Sequence, residues 1–234
     1  MSFAISAQSS VQVPGGPSFA TLKKNVAGYV QGANLTNVLT DAGAAINAAV
    51  DHFNTRNWHW LNKQETLTLV ADTRTVTVAA NFKRPRKLER LDTNSKTVDD
   101  YGYQIPKVFE DTGWDDTESG QPQYYTVRNA VDDRLLTFNV PPSTAFITSW
   151  PTARLTYFAR ANHFSDDGNT LGSLEIPSEA RNFLIWYARW ELAAMRGTPT
   201  QINTANDAWM RAWVALMKDD NNLQTDWQSR RDYR

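Results

Sequence analysis

The spacing of apolar residues along this chain changes period twice, and those two changes limit the folds open to it. Phe19, Leu22, Val26 and Tyr29 recur at three- and four-residue intervals, and Ala42, Ala45, Ile46, Ala49, Val50 and Phe53 do so again. Apolar residues at that spacing line one side of an α-helix. After Trp58-His59-Trp60 the period falls to two. Leu67 and Leu69 alternate with Thr66 and Thr68, and Val76 and Val78 with Thr75 and Thr77, as in half-buried strands. Helical spacing returns after Ile176, first in Phe183, Leu184, Trp186, Tyr187, Trp190 and Ala194, then in Ile202, Ala205, Trp209, Trp213 and Leu216.

Punctuation residues set the boundaries. Residues 1–17 are rich in Ser, Gln, Gly and Pro and end in Pro14-Gly15-Gly16-Pro17, the composition of an arm. The first helix is expected from Ser18 and stops at Gly32. Thr40 reads as the N-cap of the second, with Asp41 complementing its dipole. Residues 66–78, turning at Ala71-Asp72-Thr73, predict a hairpin; further strands are expected over 86–92, 103–109, 123–128, 134–140 and 153–160. Pro177 and Ser178 open the third helix, and Gly197 follows it at C′ with Arg196 in its last turn. Thr198-Pro199 starts the fourth, and the tail from Gln224 is polar. Neither helix pair buries its own stripe well, so the two should close on each other. The expected fold class is α+β: a four-helix bundle from both chain ends (18–57 and 174–223) with an inserted antiparallel β-sandwich or barrel (58–173). Arms are expected at 1–17 and 224–234.

A chain of 234 residues, 41% of them hydrophobic, can bury such a core. Its net charge of −1 gives no chain-wide field to recruit nucleic acid or an anionic membrane. The absence of cysteine removes disulfides, thiolate catalysis and Cys-ligated zinc. No run approaches the roughly 18 consecutive apolar residues of a membrane span. The first Lys is Lys23, so a signal peptide's positive n-region is missing too. A soluble chain outside the usual export route, without a membrane partner, is expected.

Catalytic chemistry has thin support. The histidines are His52, His59 and His163; His59 sits between two tryptophans and reads as a packing neighbour. His163 with Asp166 and Asp167 matches no metal-ligand spacing. No G-x-S-x-G, phosphate-cradling glycine loop or H-E-x-x-H occurs. No enzyme activity, cofactor or metal is therefore expected.

Contact residues are better marked. Lys83, Arg84, Arg86, Lys87 and Arg90 form a basic cluster, and Glu110, Asp111, Asp115, Asp116 and Glu118 an acidic one. On a self-associating module such patches meet across subunits and set register; solvated hairpin ends, or pairing inside one subunit, explain them somewhat better. Trp227, Arg230, Arg231, Tyr233 and Arg234 give the C-terminal arm the arginine and aromatic anchors of a segment that orders on a partner. Nine Trp, eight Tyr and ten Phe leave a second reading open. In it Tyr101, Tyr103, Trp114, Tyr124 and Tyr125 form an exposed coplanar face that binds carbohydrate, as in a tail-fibre or receptor-recognition component.

Several phrases, in order, carry a family resemblance. They are Phe53 to Trp58 before the sheet, the 66–78 segment, Gly120-Gln121-Pro122-Gln123-Tyr124-Tyr125, and the 135–142 strand ending in prolines. Leu155-Thr156-Tyr157-Phe158 and Ile176-Pro177 with Arg181 and Tyr187-Ala188 follow. Together they resemble the head-to-tail adaptors of tailed bacteriophages, including the tail tubular protein A type of podoviruses, over roughly residues 18–223. The resemblance implies a closed ring, commonly a dodecamer, docked under the portal, often through a C-terminal arm. Its other face would meet the tail nozzle or tail fibres, and phage DNA would pass through the lumen without sequence recognition. It also implies a place in the virion, after assembly in the host cytoplasm.

Overall fold

The structure, a computed structural model, describes residues 16–114, 118–129 and 134–231. The chain divides into two compact units, one of residues 1–60 and 161–234 and one of residues 61–160. It is an α+β protein with six α-helices and two sheets among the described residues.

In the first unit α1 (Phe19–Gly28) starts where Ser18 accepts the Thr21 N–H, and it buries Phe19, Leu22 and Val26. The next helix, α2 (Thr36–Phe53), begins one turn earlier than the sequence suggests. Thr40 is not its cap: inside the helix its hydroxyl donates back to the Thr36 carbonyl. Asp41 instead pairs with Arg196, Nε to Oδ2 2.6 Å. Gly32 closes the α1–α2 turn because a Cβ there would lie 2.5 Å from Cγ1 of Val38. The alanine stripe of α2 (Ala42, Ala45, Ala49) is completely buried or nearly so. It packs between α1 and α5 (Arg181–Arg196), and α5 packs in turn on α6 (Pro199–Arg231).

Gly197 ends α5 as expected, but in an extended and not a left-handed conformation. Thr198 and Gln201 then form a reciprocal cap at the start of α6: the Gln201 N–H donates to Thr198 Oγ1, and the Thr198 N–H to Gln201 Oε1. The backbone of 224–231, expected to be an arm, continues α6, since no Gly or Pro follows Pro199 to stop the helix. Residues 161–173, assigned by sequence to the insertion, group with the helices. Two asparagines seven residues apart, Asn47 on α2 and Asn54 at its C-cap, hold them. Asn54 donates to the Ala161 carbonyl and accepts its N–H, both at 2.9 Å. Asn47 does the same to Phe164, at 3.1 and 2.9 Å.

The second unit contains two four-stranded sheets. The first runs in the order β1 (Asn62–Thr68), β8 (Thr152–Ala159), β3 (Phe82–Leu91), β4 (Thr97–Asp100), all antiparallel. The second runs β2 (Thr75–Thr77), β7 (Arg134–Phe138), β6 (Tyr124–Asn129), β5 (Gly102–Tyr103), with β5 parallel to β6. The expected 66–78 hairpin does not form. Leu67 pairs with Ala153 and Val76 with Leu136, so the chain crosses from one sheet to the other at Asp72, whose φ is +56°. Alternation identifies a strand and its buried face but not its partner.

Of residues 103–109 only Tyr103, at the end of β5, is in a strand: Pro106 occupies the first turn of a short helix, α3 (Pro106–Asp111). A second short helix, α4 (Thr144–Ser149), is capped by Ser143 and had no sequence expectation. In β3, Pro85 is tolerated beside two register shifts, at a level that β4 does not reach. Two of the phrases behind the family resemblance are neighbours here. Asn139 Oδ1 accepts the Gln123 and Tyr124 N–H groups, and the Gly120 N–H donates to the Pro141 carbonyl.

Candidate protein interfaces

In the second unit the chain places apolar side chains on its surface. Tyr103 follows Gly102 in the short edge strand β5, Ile105 caps α3 and Val108 lies on it; they are 43, 56 and 47% exposed. Tyr124, 37% exposed, starts β6 beside β5. Its ring lies over Gly102, where a Cβ would come within 2.6 Å, and stacks on Trp114 at 5.8 Å. Trp114 in turn meets Phe109, which is buried, at 6.2 Å. These contacts support the Tyr124 ring; Tyr103, which registers with Tyr125 and meets its ring at 5.4 Å, stands on the opposite face of the sheet. The five-residue aromatic face considered from sequence is not built: Tyr101 and Tyr125 are 4 and 1% exposed. Burial pushes the phenol of Tyr101 up to about 12, against the pull of Arg90, and raises that of Tyr125 as well.

The basic cluster is divided by the sheet. Arg90 lies inside the unit, its guanidinium 5.1 to 5.2 Å from the rings of Tyr101, Phe146 and Trp150, and it donates to the Pro122 carbonyl. Lys87 pairs with Glu89 at 2.9 Å and Asp100 at 3.2 Å, and the hydrogen bond to Glu89 raises its pKa. Arg84 and Arg86 are exposed, Arg86 over the half-buried ring of Phe158. Lys83 is half-buried; that burial and the charge of Arg160 bring its ammonium down to about 8. Of the acidic candidates, Glu110 and Asp111 are exposed on α3 and Glu118 is exposed beyond it, while Asp115 and Asp116 lie outside the described residues.

The first unit gathers its aromatic residues inward. His52 on α2 stands 4.8 to 5.7 Å from the rings of Trp213, Tyr187, Trp209 and Phe183, and partial burial lowers its pKa. Trp58 stacks between Phe53 and Trp60, at 4.9 and 5.3 Å, and crosses Trp213 edge-on. His59 donates its backbone N–H to Asp220 Oδ1 at 2.7 Å. Asp220, fully buried on α6, also accepts from Arg56 at 3.4 Å. His163 does not join Asp166 and Asp167; its Nε2 meets Asp51 at 2.7 Å, while Asp167 pairs with Lys23. Among the described residues no group of three or more His, Cys, Asp or Glu is placed to hold a metal ion.

The outer side of α6 is different. Met210 and Val214, one turn apart, are 48 and 45% exposed. With Ala215 they form an exposed apolar strip on α6 beside Arg211 and Lys218. Of the C-terminal candidates, the side chains of Trp227, Arg230 and Arg231 and the whole of Tyr233 and Arg234 lie outside the described residues.

Sequence reading missed three features. Asn47 and Asn54 were legible as polar residues bordering an apolar stripe. Asp220 carried no signal, because a carboxylate near the end of an amphipathic helix is ordinarily solvated. The short helix α3 was hidden by reading 103–109 as a strand. What the arrangement offers is exposed apolar side chains on each unit. A family model described as SU10 adaptor protein matches residues 17–234. No curated protein matches the chain.

Proposed function

The chain belongs to the SU10 adaptor protein family of phage head-to-tail adaptors, and from that membership we propose that its copies close into a ring joining the portal to the tail. We read the helices α1, α2, α5 and α6 as a four-helix bundle and the two sheets as the sandwich inserted into it. The protein then acts by geometry and not by turnover: unlike surfaces on each copy meet and close a cycle. Phage DNA leaves through the lumen without being read, in keeping with a chain of net charge −1. The podovirus type of adaptor, a twelve-fold ring and an assembly site in the host cytoplasm belong to the same proposal. No helix among the described residues is long and apolar enough to cross a membrane.

The family match over residues 17–234 carries the reading. Electron microscopy of the purified protein, alone and mixed with portal rings, tests it. The expected result is a ring in at least one of the two preparations. A chain that stays monomeric in both, and that portal fails to retain in a pull-down, refutes it.

A further inference from the structure

We propose that the outer face of the first sheet, around Arg84, Arg86 and Arg160, holds the phosphate backbone of duplex DNA. This deepens the ring reading by naming the surface that meets the DNA. The argument starts from the register of β3 on β8. Phe82 pairs with Ala159 and Leu88 with Leu155, and all four are buried. Simple alternation from Phe82 to Leu88 would carry Arg84 and Arg86 to that buried side as well. Two register shifts prevent it. The first, at Lys83, brings Arg84 opposite Phe158; the second, at Arg86, returns Leu88 to the core. Bulges of this kind re-aim side chains and gather next to functional sites. Arg84 and Arg86 are exposed as a result, and so is Arg160, two residues beyond Phe158.

Three guanidinium groups thus flank one half-buried ring, with Arg86 6.0 Å over Phe158. Among the described residues none of the three is in an ion pair. The carboxylates farther along the same strands are engaged, Glu89 with Lys87 and Arg154, and Asp100 with Lys87. Burial, and then the charge of Arg160, lower the Lys83 ammonium, which places that guanidinium beside the first bulge. Guanidinium forks meet a phosphate through paired N–H···O bonds. The ring between them is capped by Arg86 and gives unstacked bases no platform, which favours a duplex held by charge over a single strand. An acidic patch on a second copy fits less well, since Glu110 already has a partner. The net charge of −1 does not oppose the contact, because at physiological salt charges farther than roughly 8 Å away are screened.

Fluorescence anisotropy of a labelled duplex of about 30 bp, titrated with the purified chain at about 50 to about 200 mM salt, tests the assignment. Each neutralised phosphate contributes about −0.9 to the slope of log K against log salt, so three arginines should give about −3 on duplexes of unrelated sequence. Arg84→Ala with Arg86→Ala and Arg160→Ala should weaken binding on the order of tenfold or more at the low-salt end and flatten the slope. Arg84→Lys with Arg86→Lys and Arg160→Lys should retain binding, which separates charge from folding. Lys107→Ala with Lys218→Ala, at cations exposed elsewhere, should leave it unchanged. Absence of binding at low salt overturns the assignment, as does an alanine variant that binds like the parent. So does a dT strand of the same length bound more tightly than the duplex. Polyglutamate that competes as well as a duplex of equal charge would give the face to an acidic protein and overturn it too. Rings are scored separately by electron microscopy. A chain that binds duplex through these arginines but forms no ring alone or on portal keeps this assignment and loses the ring reading; rings without duplex binding do the reverse.

Discussion

Replacing Asn54 by alanine should loosen the return of the chain into the helical unit, and the structure sets the size of the effect. The side chain makes two hydrogen bonds to one residue, donating to the Ala161 carbonyl and accepting its N–H. A hydrogen bond of this kind contributes a net of about 0.5–1.5 kcal/mol, so Asn54→Ala should cost about 1–3 kcal/mol. For a chain of this length that is a fall in Tm of about 2–12 °C. Asn47→Ala should behave alike at Phe164. The two sites lie about 10 Å apart along α2, so the double variant should lose nearly the sum. Asn54→Asp separates this account from simple loss of packing. It keeps an acceptor for the Ala161 N–H but turns a carboxylate oxygen toward the Ala161 carbonyl, so it should destabilise at least as much as alanine. Tryptophan fluorescence reports the unfolding, since Trp58, Trp60, Trp186, Trp190, Trp209 and Trp213 all lie in the helical unit. Hydrogen exchange at the Ala161 and Phe164 amides reports the local effect. A neutral Asn54→Asp, or an Ala161 amide as protected in Asn54→Ala as in the parent, would falsify the bidentate account.

Other perturbations have equally definite outcomes. His52 has a lowered pKa in the folded state, so the unfolded chain binds its proton first. Stability is full above the ordinary pKa of about 6.5 and declines as pH falls through and below it; His52→Phe should flatten that decline in thermal melts from pH 7.5 to 5. Lys83, at about 8, holds far more neutral amine at pH 8 than an ordinary lysine, and limited acylation read by mass spectrometry should modify it ahead of the exposed Lys107 and Lys218. Gly102→Ala drives a Cβ into the Tyr124 ring, so it should cost about 1–3 kcal/mol in denaturant titration and disturb the Trp114–Tyr124 stack. Asp220→Ala leaves the His59 N–H without its carboxylate acceptor and should cost about 1.5–3 kcal/mol, with Asp220→Asn costing clearly less; equal losses would show that the acceptor is not what matters.

The parts legible in the sequence were those written in local periodicity. The stripe of α2 appears in the chain as it does in the structure, because that helix sees its neighbours through one face; on α5 Phe183 and Leu184 are buried as expected, but Ala194 is exposed and Ala188, Leu192 and Ala193 complete the buried face. Strands 123–128, 134–140 and 153–160 were found within a few residues of β6, β7 and β8. Pairing was not legible: Leu67 and Val76 carry the same alternation although they belong to different sheets. The reading of 103–109 as a strand overlooked Pro106, which suits the first turn of a helix better than the inside of a ladder. The basic cluster was visible, but its division was not. Burying Arg90 among three rings is a tertiary event, and nothing local separates it from exposed Arg84 and Arg86.

The β unit begins in β1 and ends in β8, which are ladder partners, with Asn62 opposite Phe158 at the end of seven rungs. Tension applied between those two chain ends would open the ladder one rung at a time, like a zip, and would not shear all the rungs together. The unit should therefore yield at low force in a single-molecule pull. The same adjacency means that chain between the two strands can be gained or lost without moving the ends apart, at an entropic cost that grows only slowly with length. Relatives should accordingly differ most in size between residues 69 and 151, while the segments on either side keep their lengths.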